Sequence, residues 1–125
     1  MLFRSRLALE PATFHVGMVR CSDANLPTLA NCGSDLFSKG FAIIDEKGDV
    51  KTHLFGAVPG VDYDVVFVPF DTQTELVVGT IHTNPAGNGH VHARDVFDPG
   101  TRGVGQVFVK RNGLDQFVTG FRVVR

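Results

Sequence analysis

A chain of 125 residues with a net charge of −1 has the size of one domain and no overall electrostatic reason to bind nucleic acid or an anionic membrane. Hydrophobic residues make up 43% of the chain and charged residues 20%, which is typical of a protein that buries its own core. No uninterrupted apolar run has the length of a signal-peptide core or a membrane span, so we expect a cytoplasmic protein.

Short apolar or alternating runs, separated by glycine, proline and asparagine, follow one another along the chain. They predict strands at residues 3–9, 13–20, 37–44, 49–55, 63–70, 75–83, 89–96, 104–110 and 116–124. Residues 22–34 form a predicted polar loop with at most one short helix. Because no ten-residue segment has helical periodicity, we predict an all-β fold, an antiparallel β-sandwich of seven to nine strands, as a single domain over residues 1–125.

Two turns carry a clear local signal. Gly48 ends the sequence Asp-Glu-Lys-Gly between two predicted strands, at a position that tolerates positive φ. Asn112 and Gly113 form the dipeptide that is most typical of a two-residue β-hairpin. Both sequences predict antiparallel neighbours on either side of the turn.

Residues 40–68 and 78–109 repeat one plan: an apolar run, a glycine-bearing turn, an alternating run, a Pro-Gly break and a run of valine and phenylalanine. Each unit therefore predicts strand, turn, strand, turn, strand. Either an internal pseudo-repeat or the general similarity of β-hairpins can produce this pattern.

Two phrases within these units resemble known modules. The phrase GAVPGVDYDVVFV is similar to the Pro-Gly-x-x-Tyr strand start of prealbumin-like and immunoglobulin-like sandwiches. The phrase VGTIHTNPAGNGHVHA resembles a Gly-Thr-x-x-Thr-Asn-x-x-Gly-x-Gly hairpin of many bacterial β-sandwich domains. The resemblance implies an immunoglobulin-like or prealbumin-like fold and an accessory, adhesive or structural role, and it says little about activity.

The strongest candidates for chemistry are His82, His90 and His92. If Ile81 and Val91 face the core, strand alternation places all three imidazoles on the other face. A register that pairs His82 with His90 would bring their Cβ atoms about 5 Å together. Neutral imidazoles can bind zinc, copper or nickel, so a metal site is one hypothesis and exposed strand histidines without a ligand are the other.

Other motifs for catalysis or for a cofactor are absent from the sequence. Ser34 lacks the second glycine of a nucleophile elbow, and the chain has no phosphate-binding or dinucleotide loop. His15 and His53 are isolated in the sequence and are predicted to be surface strand residues. Cys21 and Cys32 bracket the long loop; a bridge would close about ten residues, whereas in a reducing cytosol both thiols would stay free.

Charge is unevenly distributed along the chain. Residues 45–75 hold seven acidic residues and two lysines, a net charge of −5, and residues 76–125 hold six basic and three acidic residues, a net charge of +3. Opposite charges can pair between subunits, and an oligomer would cover strand edges and apolar faces at Val66, Val68 and Val78, so we expect a homo-oligomer. The alternative is a monomer in which acidic and basic strands are neighbours in one sheet.

We therefore expect a non-enzymatic β-sandwich that acts through its surface as a binding or structural module. Its expected partners are a second copy of the chain, another protein or a carbohydrate, and no cofactor is expected. The alternative function is a metal-binding protein or metal-dependent enzyme that uses zinc or copper at His82, His90 and His92.

Overall fold

The computed structural model describes residues 13–23, 31–45, 47–69, 74–97, 103–119 and 122–124. Its strands are β1 (Thr13–Arg20), β2 (Lys39–Asp45), β3 (Val50–Phe55), β4 (Asp62–Pro69), β5 (Leu76–His82), β6 (Gly89–Ala93), β7 (Gly103–Arg111), β8 (Leu114–Thr119) and β9 (Arg122–Val124). A 3₁₀ turn at Cys21–Asp23 is the helical element of the described residues, and no helix among them is long and apolar enough to cross a membrane. The predicted all-β antiparallel fold is confirmed, while the strand predicted at residues 3–9 and residues 24–30 of the predicted loop lie outside the described residues. The single strand predicted at residues 116–124 is found as β8 and β9.

Eight strands form one hydrogen-bonded path in the order β5-β4-β7-β8-β1-β2-β3-β6, and β9 pairs with the start of β7. The first part of β1 pairs with β2 and its last three residues pair with β8, so this strand joins the two halves of the path. The end strands β5 and β6 share the turn at residues 83–88 and lie side by side without a described ladder between them. The path therefore nearly closes into a cylinder.

The two repeated units of the sequence are β2-β3-β4 and β5-β6-β7. β3 pairs antiparallel with β6, and β4 pairs antiparallel with β7, so equivalent strands of the two units are neighbours. A two-fold rotation axis that relates the two units would pair equivalent strands with each other in this way. The β2-β3 ladder has no equivalent between β5 and β6 in the described residues, so the relation does not extend to every contact.

Apolar side chains from both units fill the interior of the cylinder. Burial alternates along β2 and β3, which places Ile44 and Leu54 inside at 0% exposure. Tyr63 and Phe117 are also fully buried, with ring centroids 5.4 Å apart. Each such side chain stabilises the fold by roughly 1.5–3 kcal/mol, and together they fix which face of each strand points outward.

β5 departs from simple alternation. The register of its pairing with β4 shifts between Val65 and Val66, and Gly79 has a φ of +151°. Alternation from Ile81 would place Val77 in the core, but the bulge turns it outward, and it is 77% exposed. The surface of β5 therefore could not be derived from period two alone.

Cys21 and Cys32 form a disulfide, with their Cα atoms 5.3 Å apart. It ties the end of β1 to a segment that lies beside β8, where Asp115 exchanges backbone hydrogen bonds with Asn31 and Gly33. The bridge decides a question that the sequence left open, and it replaces the free thiols expected in a reducing cytosol.

Replacing Cys21 and Cys32 together by serine is expected to lower the free energy of unfolding by about 2–3 kcal/mol, because the bridge restricts the unfolded chain. Denaturant unfolding with and without a reductant measures this. Reductant should destabilise the wild type and leave the double variant unchanged. A wild-type midpoint that does not respond to reductant would contradict the prediction.

Candidate functional site

Aromatic rings form a row across the outer face of β1, β2, β3 and β6. Phe41 lies opposite His53, and His53 lies opposite His90. The ring centroids of Phe41 and His53 are 4.8 Å apart, those of His53 and His90 are 5.3 Å apart, and His15 extends the row at 6.1 Å from Phe41. Phe55 flanks His53 on the same strand. We call these five residues the ring row.

The ring row presents ring edges, not ring faces, to solvent. Neighbouring ring planes along it differ by 16°, 19° and 26°. The two shorter centroid separations are close to the spacing of adjacent strands, about 4.8 Å, so the rings stack along the sheet and their edges point outward. Ring edges carry the positive end of the aromatic quadrupole, and imidazole edges carry the nitrogen atoms.

One end of the ring row opens into a depression of about 410 Å³. The residues that line it are His53, Phe55, His82, Asn84, Asn88, Gly89 and His90. Its volume lies in the range of small-molecule binding sites. We call it the His53 depression.

The turn between β5 and β6 fixes two amide side chains in the lining of the His53 depression. The side-chain oxygen of Asn84 accepts hydrogen bonds from the backbone N–H groups of Ala86 and Asn88. The side-chain oxygen of Asn88 accepts one from the N–H of Gly56 at 3.0 Å. The two amide nitrogens have no partner among the described residues, so both remain as donors in the lining of the depression.

A carboxylate holds His82. Asp62 lies directly opposite it in the β4-β5 ladder, and Oδ1 of Asp62 contacts Nδ1 of the imidazole. Both side chains are largely exposed. The carboxylate favours the tautomer with the proton on Nδ1, which leaves Nε2 of the neutral ring as an acceptor.

His53 is a half-buried member of the ring row. Burial lowers the pKa of His53, and the nearby positive charges of His90 and Lys51 lower it further. The folded protein therefore binds this proton less tightly than the unfolded chain does. The contribution of His53 to stability is fully present above about pH 6.5 and is lost as the pH falls from there toward the folded-state pKa.

Lysines flank the ring row on the same face. Nζ of Lys39 lies 5.3 Å from the centroid of the Phe55 ring, and Lys51 lies opposite His92 in the β3-β6 ladder. No carboxylate is among the residues that line the His53 depression. Lys39 and Lys51 therefore place positive charge beside the ring row, while Asp45 at the end of β2 and Asp62 beside His82 are the nearby carboxylates.

The three histidines predicted as metal ligands are all exposed, but the ladders separate them. His90 lies opposite His53, and His92 lies opposite Lys51, whereas His82 belongs to a different ladder. The predicted register of His82 against His90 does not occur. β5 and β6 are consecutive in the chain, but no backbone ladder between them is described. His82 and His90 do line the same depression. Within the described ranges, no group of three or more histidine, cysteine, aspartate or glutamate side chains is arranged to hold a metal ion.

The sequence analysis predicted His15 and His53 to be surface strand residues, and both lie on the outer face of their strands. It treated them as isolated in the sequence and did not predict that both belong to the ring row. Alternation correctly places His53 outward, as it does His90. The missing information was the pairing of β3 with β6, which no local signal in either strand provides.

A second, partly buried polar cluster ties the segment before β2 to the sheet. Asp35 accepts hydrogen bonds from the Tyr63 hydroxyl at 2.8 Å and from Nε and Nη2 of Arg111 at 2.6 and 2.8 Å. The Arg111 guanidinium lowers the pKa of Asp35, and burial raises the pKa of Tyr63 to about 12. Both groups keep their ordinary charge states at neutral pH and satisfy one another, so we interpret this Asp35 clasp as structural.

No protein-family model matches the chain, and neither the curated proteins nor the solved structures give a match. The chemistry of the candidate site therefore rests on the geometry of the ring row and the His53 depression.

Proposed function

We propose that this chain is a non-enzymatic module that acts through its surface by binding, and that the ring row is its contact surface. The supporting observation is the exposure of the row: His15 and His90 are exposed, and Phe41, His53 and Phe55 are half-buried. The core of the fold requires apolar residues on the inner face of the cylinder, and it does not require aromatic rings on the outer face. Contiguous exposed aromatic surface of this kind is typical of interaction sites.

The immunoglobulin-like or prealbumin-like sandwich type belongs to this proposal. The passage of β1 from one half of the path to the other supports it, because strands that switch between two packed layers form the corners of such folds. Modules of that type commonly bind or support other molecules through exposed strands and loops.

Titration with a panel of neutral and acidic oligosaccharides and short peptides is expected to shift backbone amide resonances at the ring row for at least one probe. Phe41→Thr removes the central ring and should weaken that binding at least tenfold. Val19→Thr alters an apolar strand residue outside the row, 43% exposed, and should change it less than twofold. Shifts that avoid the row for every probe that binds would contradict the proposal.

A homo-oligomer remains a proposal, but two findings change how it would form. Val66 and Val78 are buried, at 7% and 6% exposure, and Val68 is half-buried, so most of the apolar contact surface expected from the sequence is not exposed. Lys110 forms ion pairs with Glu75 and Asp115 within the chain, which is the arrangement expected for a monomer. The charge split therefore gives less support to self-association than the sequence indicated.

Val77 on β5 is the most exposed large apolar side chain of the described residues and is the contact we propose for self-association. Light scattering at tens of micromolar protein decides the question. A mass above 13.6 kDa that Val77→Lys returns to the monomer value would support the oligomer.

Zinc or copper binding at His82, His90 and His92 remains the alternative function. The shared depression of His82 and His90 supports it. The ladders oppose it, because His82 lies in a different ladder from His90 and His92, and no group of three or more potential ligands converges among the described residues. Stoichiometric metal in the purified protein, lost in His90→Gln, would favour the alternative.

The cytoplasmic localisation predicted from the sequence also stays a proposal. The Cys21–Cys32 disulfide favours an oxidising compartment instead, since such bridges rarely persist in the cytosol. Thiol titration of protein isolated without reductant distinguishes the two.

A further inference from the structure

We propose that the His53 depression binds the carboxylate of an acidic carbohydrate, and that the ring row contacts the neighbouring sugar units. The inference rests on the proposed function, because it names the ligand class for the same surface.

The His53 depression holds more donors than acceptors. Asn84 and Asn88 use their side-chain oxygens within the turn and keep their amide nitrogens available. The ring nitrogens of His53 and His90 have no hydrogen-bond partner among the described residues. A carboxylate brings two oxygens that can accept from such groups, and hydrogen bonds to a charged acceptor are stronger than those to a neutral one.

Charge on this face favours an anion. Lys39 and Lys51 flank the ring row, and the outward ring edges of Phe55 and the imidazoles add positive potential. Asp62 is the acidic residue that contacts the lining, and it is engaged with His82. An anionic group placed against His53 and His90 therefore has two lysines near it, and the nearby carboxylate is already paired with His82.

The shape of the surface favours an extended ligand. The ring row crosses four strands, which spans on the order of 15 Å at the usual strand spacing. The depression lies at one end of that row. A chain of sugars can place one carboxylate in the depression and lay its hydroxyl groups along the imidazole edges, where nitrogen atoms donate or accept.

Two other extended ligands fit the face less well. Single-stranded nucleic acid is held by bases stacked on exposed ring faces, and here both faces of Phe41 and His53 have neighbouring rings. A peptide that adds as a strand needs free space beside an unpaired edge, and the edge of β6 that does not pair with β3 has β5 alongside it.

Protonation couples to this binding. The neighbours of His53 on the sheet are Phe41 from β2, Lys51 and Phe55 from β3, and His90 and His92 from β6. Across the depression lie His82 and the Asp62 carboxylate that contacts it. Asp62 is the one carboxylate in this set, and it contacts His82. Burial disfavours a proton on His53, and His90 and Lys51 disfavour it further. A bound carboxylate offsets that repulsion, so the ligand promotes protonation and protonation promotes ligand binding by the same factor. Affinity should therefore rise as the pH falls from 7.5 to 5.5.

The test is calorimetric titration of the full chain with trigalacturonate, its methyl ester, maltotriose and hexaglutamate at both pH values. We expect trigalacturonate to bind at least tenfold more tightly than its methyl ester, and its affinity to increase at least threefold at pH 5.5. Binding enthalpies in buffers of different ionisation enthalpy should show proton uptake on binding at pH 6.5.

Asn88→Asp is the most informative variant. It keeps the side-chain oxygen that accepts from Gly56, so the turn is retained, and it replaces the amide donor with a negative oxygen. We expect at least a tenfold loss of trigalacturonate affinity. Asn112→Asp makes the same charge change in a hairpin turn that does not line the depression, and it should change affinity less than twofold.

The possible outcomes distinguish the carboxylate site, the carbohydrate ligand class and the proposed function. Equal binding of the acid and its ester, with shifts still at the ring row, would overturn the carboxylate site and leave the proposed function standing. Tighter binding of hexaglutamate would overturn the carbohydrate class. Trigalacturonate binding that shifts residues away from the row would overturn both proposals, and no binding of any probe at millimolar concentration would overturn the acidic-carbohydrate site.

Discussion

Replacing Asp35 by alanine is expected to lower the free energy of unfolding by about 2–3 kcal/mol, because it removes the charged acceptor of the Arg111 guanidinium and the Tyr63 hydroxyl. The Asp35 side chain is 10% exposed and that of Arg111 is 25% exposed. The hydroxyl of Tyr63, a residue with 0% exposure, loses its acceptor as well. Urea unfolding at neutral pH measures the change.

Two milder variants separate the contribution of the charge of Asp35 from that of the Tyr63 hydrogen bond. Asp35→Asn keeps an acceptor but removes the charge, so its free energy of unfolding should lie between those of the wild type and Asp35→Ala. Tyr63→Phe keeps the ion pair and removes the hydroxyl that donates to Asp35 and accepts from the Val58 N–H; it should cost about 1–2 kcal/mol. An alanine variant within about 1 kcal/mol of the wild type would show that water replaces the carboxylate at no cost.

Acid should narrow the difference between the wild type and Asp35→Ala. Arg111 lowers the pKa of Asp35 below its unfolded value of 3.8, so the stabilisation is fully present above that pH. It is lost as the pH falls through the lowered folded-state pKa. The two proteins should therefore differ most near neutral pH and least in strong acid.

Turn chemistry made most of the strands predictable from the sequence. Gly48 adopts a φ of +100°, and Asn112 and Gly113 adopt φ of +58° and +75°. These conformations are allowed to few residue types, so residue identity alone predicted the turns and the antiparallel neighbours beside them. Strand alternation is also observed in the burial of β2 and β3, in agreement with the surface position predicted for His53.

Pairing between distant strands was not predictable, and the candidate site depends on it. His90 meets His53 because β6 pairs with β3, and Asp35 meets Tyr63 and Arg111 because the loop before β2 crosses β4 and β7. Register between non-consecutive strands is set by packing of the whole chain and leaves no mark in either strand. The sequence therefore predicted that His90 faces outward, and it could not predict its neighbour.

Gly87→Ala is expected to lower the free energy of unfolding by about 3–5 kcal/mol, from backbone strain and overpacking together. Gly87 lies in the turn between β5 and β6 with a φ of +80°. A Cβ atom there would lie 2.0 Å from the carbonyl oxygen of Ala57, which is backbone and cannot rotate away. The same turn binds Ala57 through a hydrogen bond from its N–H to the Gly87 carbonyl at 2.9 Å.

Alanine variants at two other glycines separate the cost of positive-φ backbone strain from the cost of a Cβ contact with the backbone. Gly60 has a similar φ of +67° with no atom within 4 Å of an added Cβ, so Gly60→Ala should cost about 1–2 kcal/mol from strain alone. Gly17 has neither positive φ nor a close neighbour, and Gly17→Ala should stabilise the protein by roughly 0.5 kcal/mol. If Gly87→Ala were no worse than Gly60→Ala, the turn would have to move away from Ala57. That movement would displace Asn84 and Asn88, so the stability series also reports whether the turn holds the His53 depression in place.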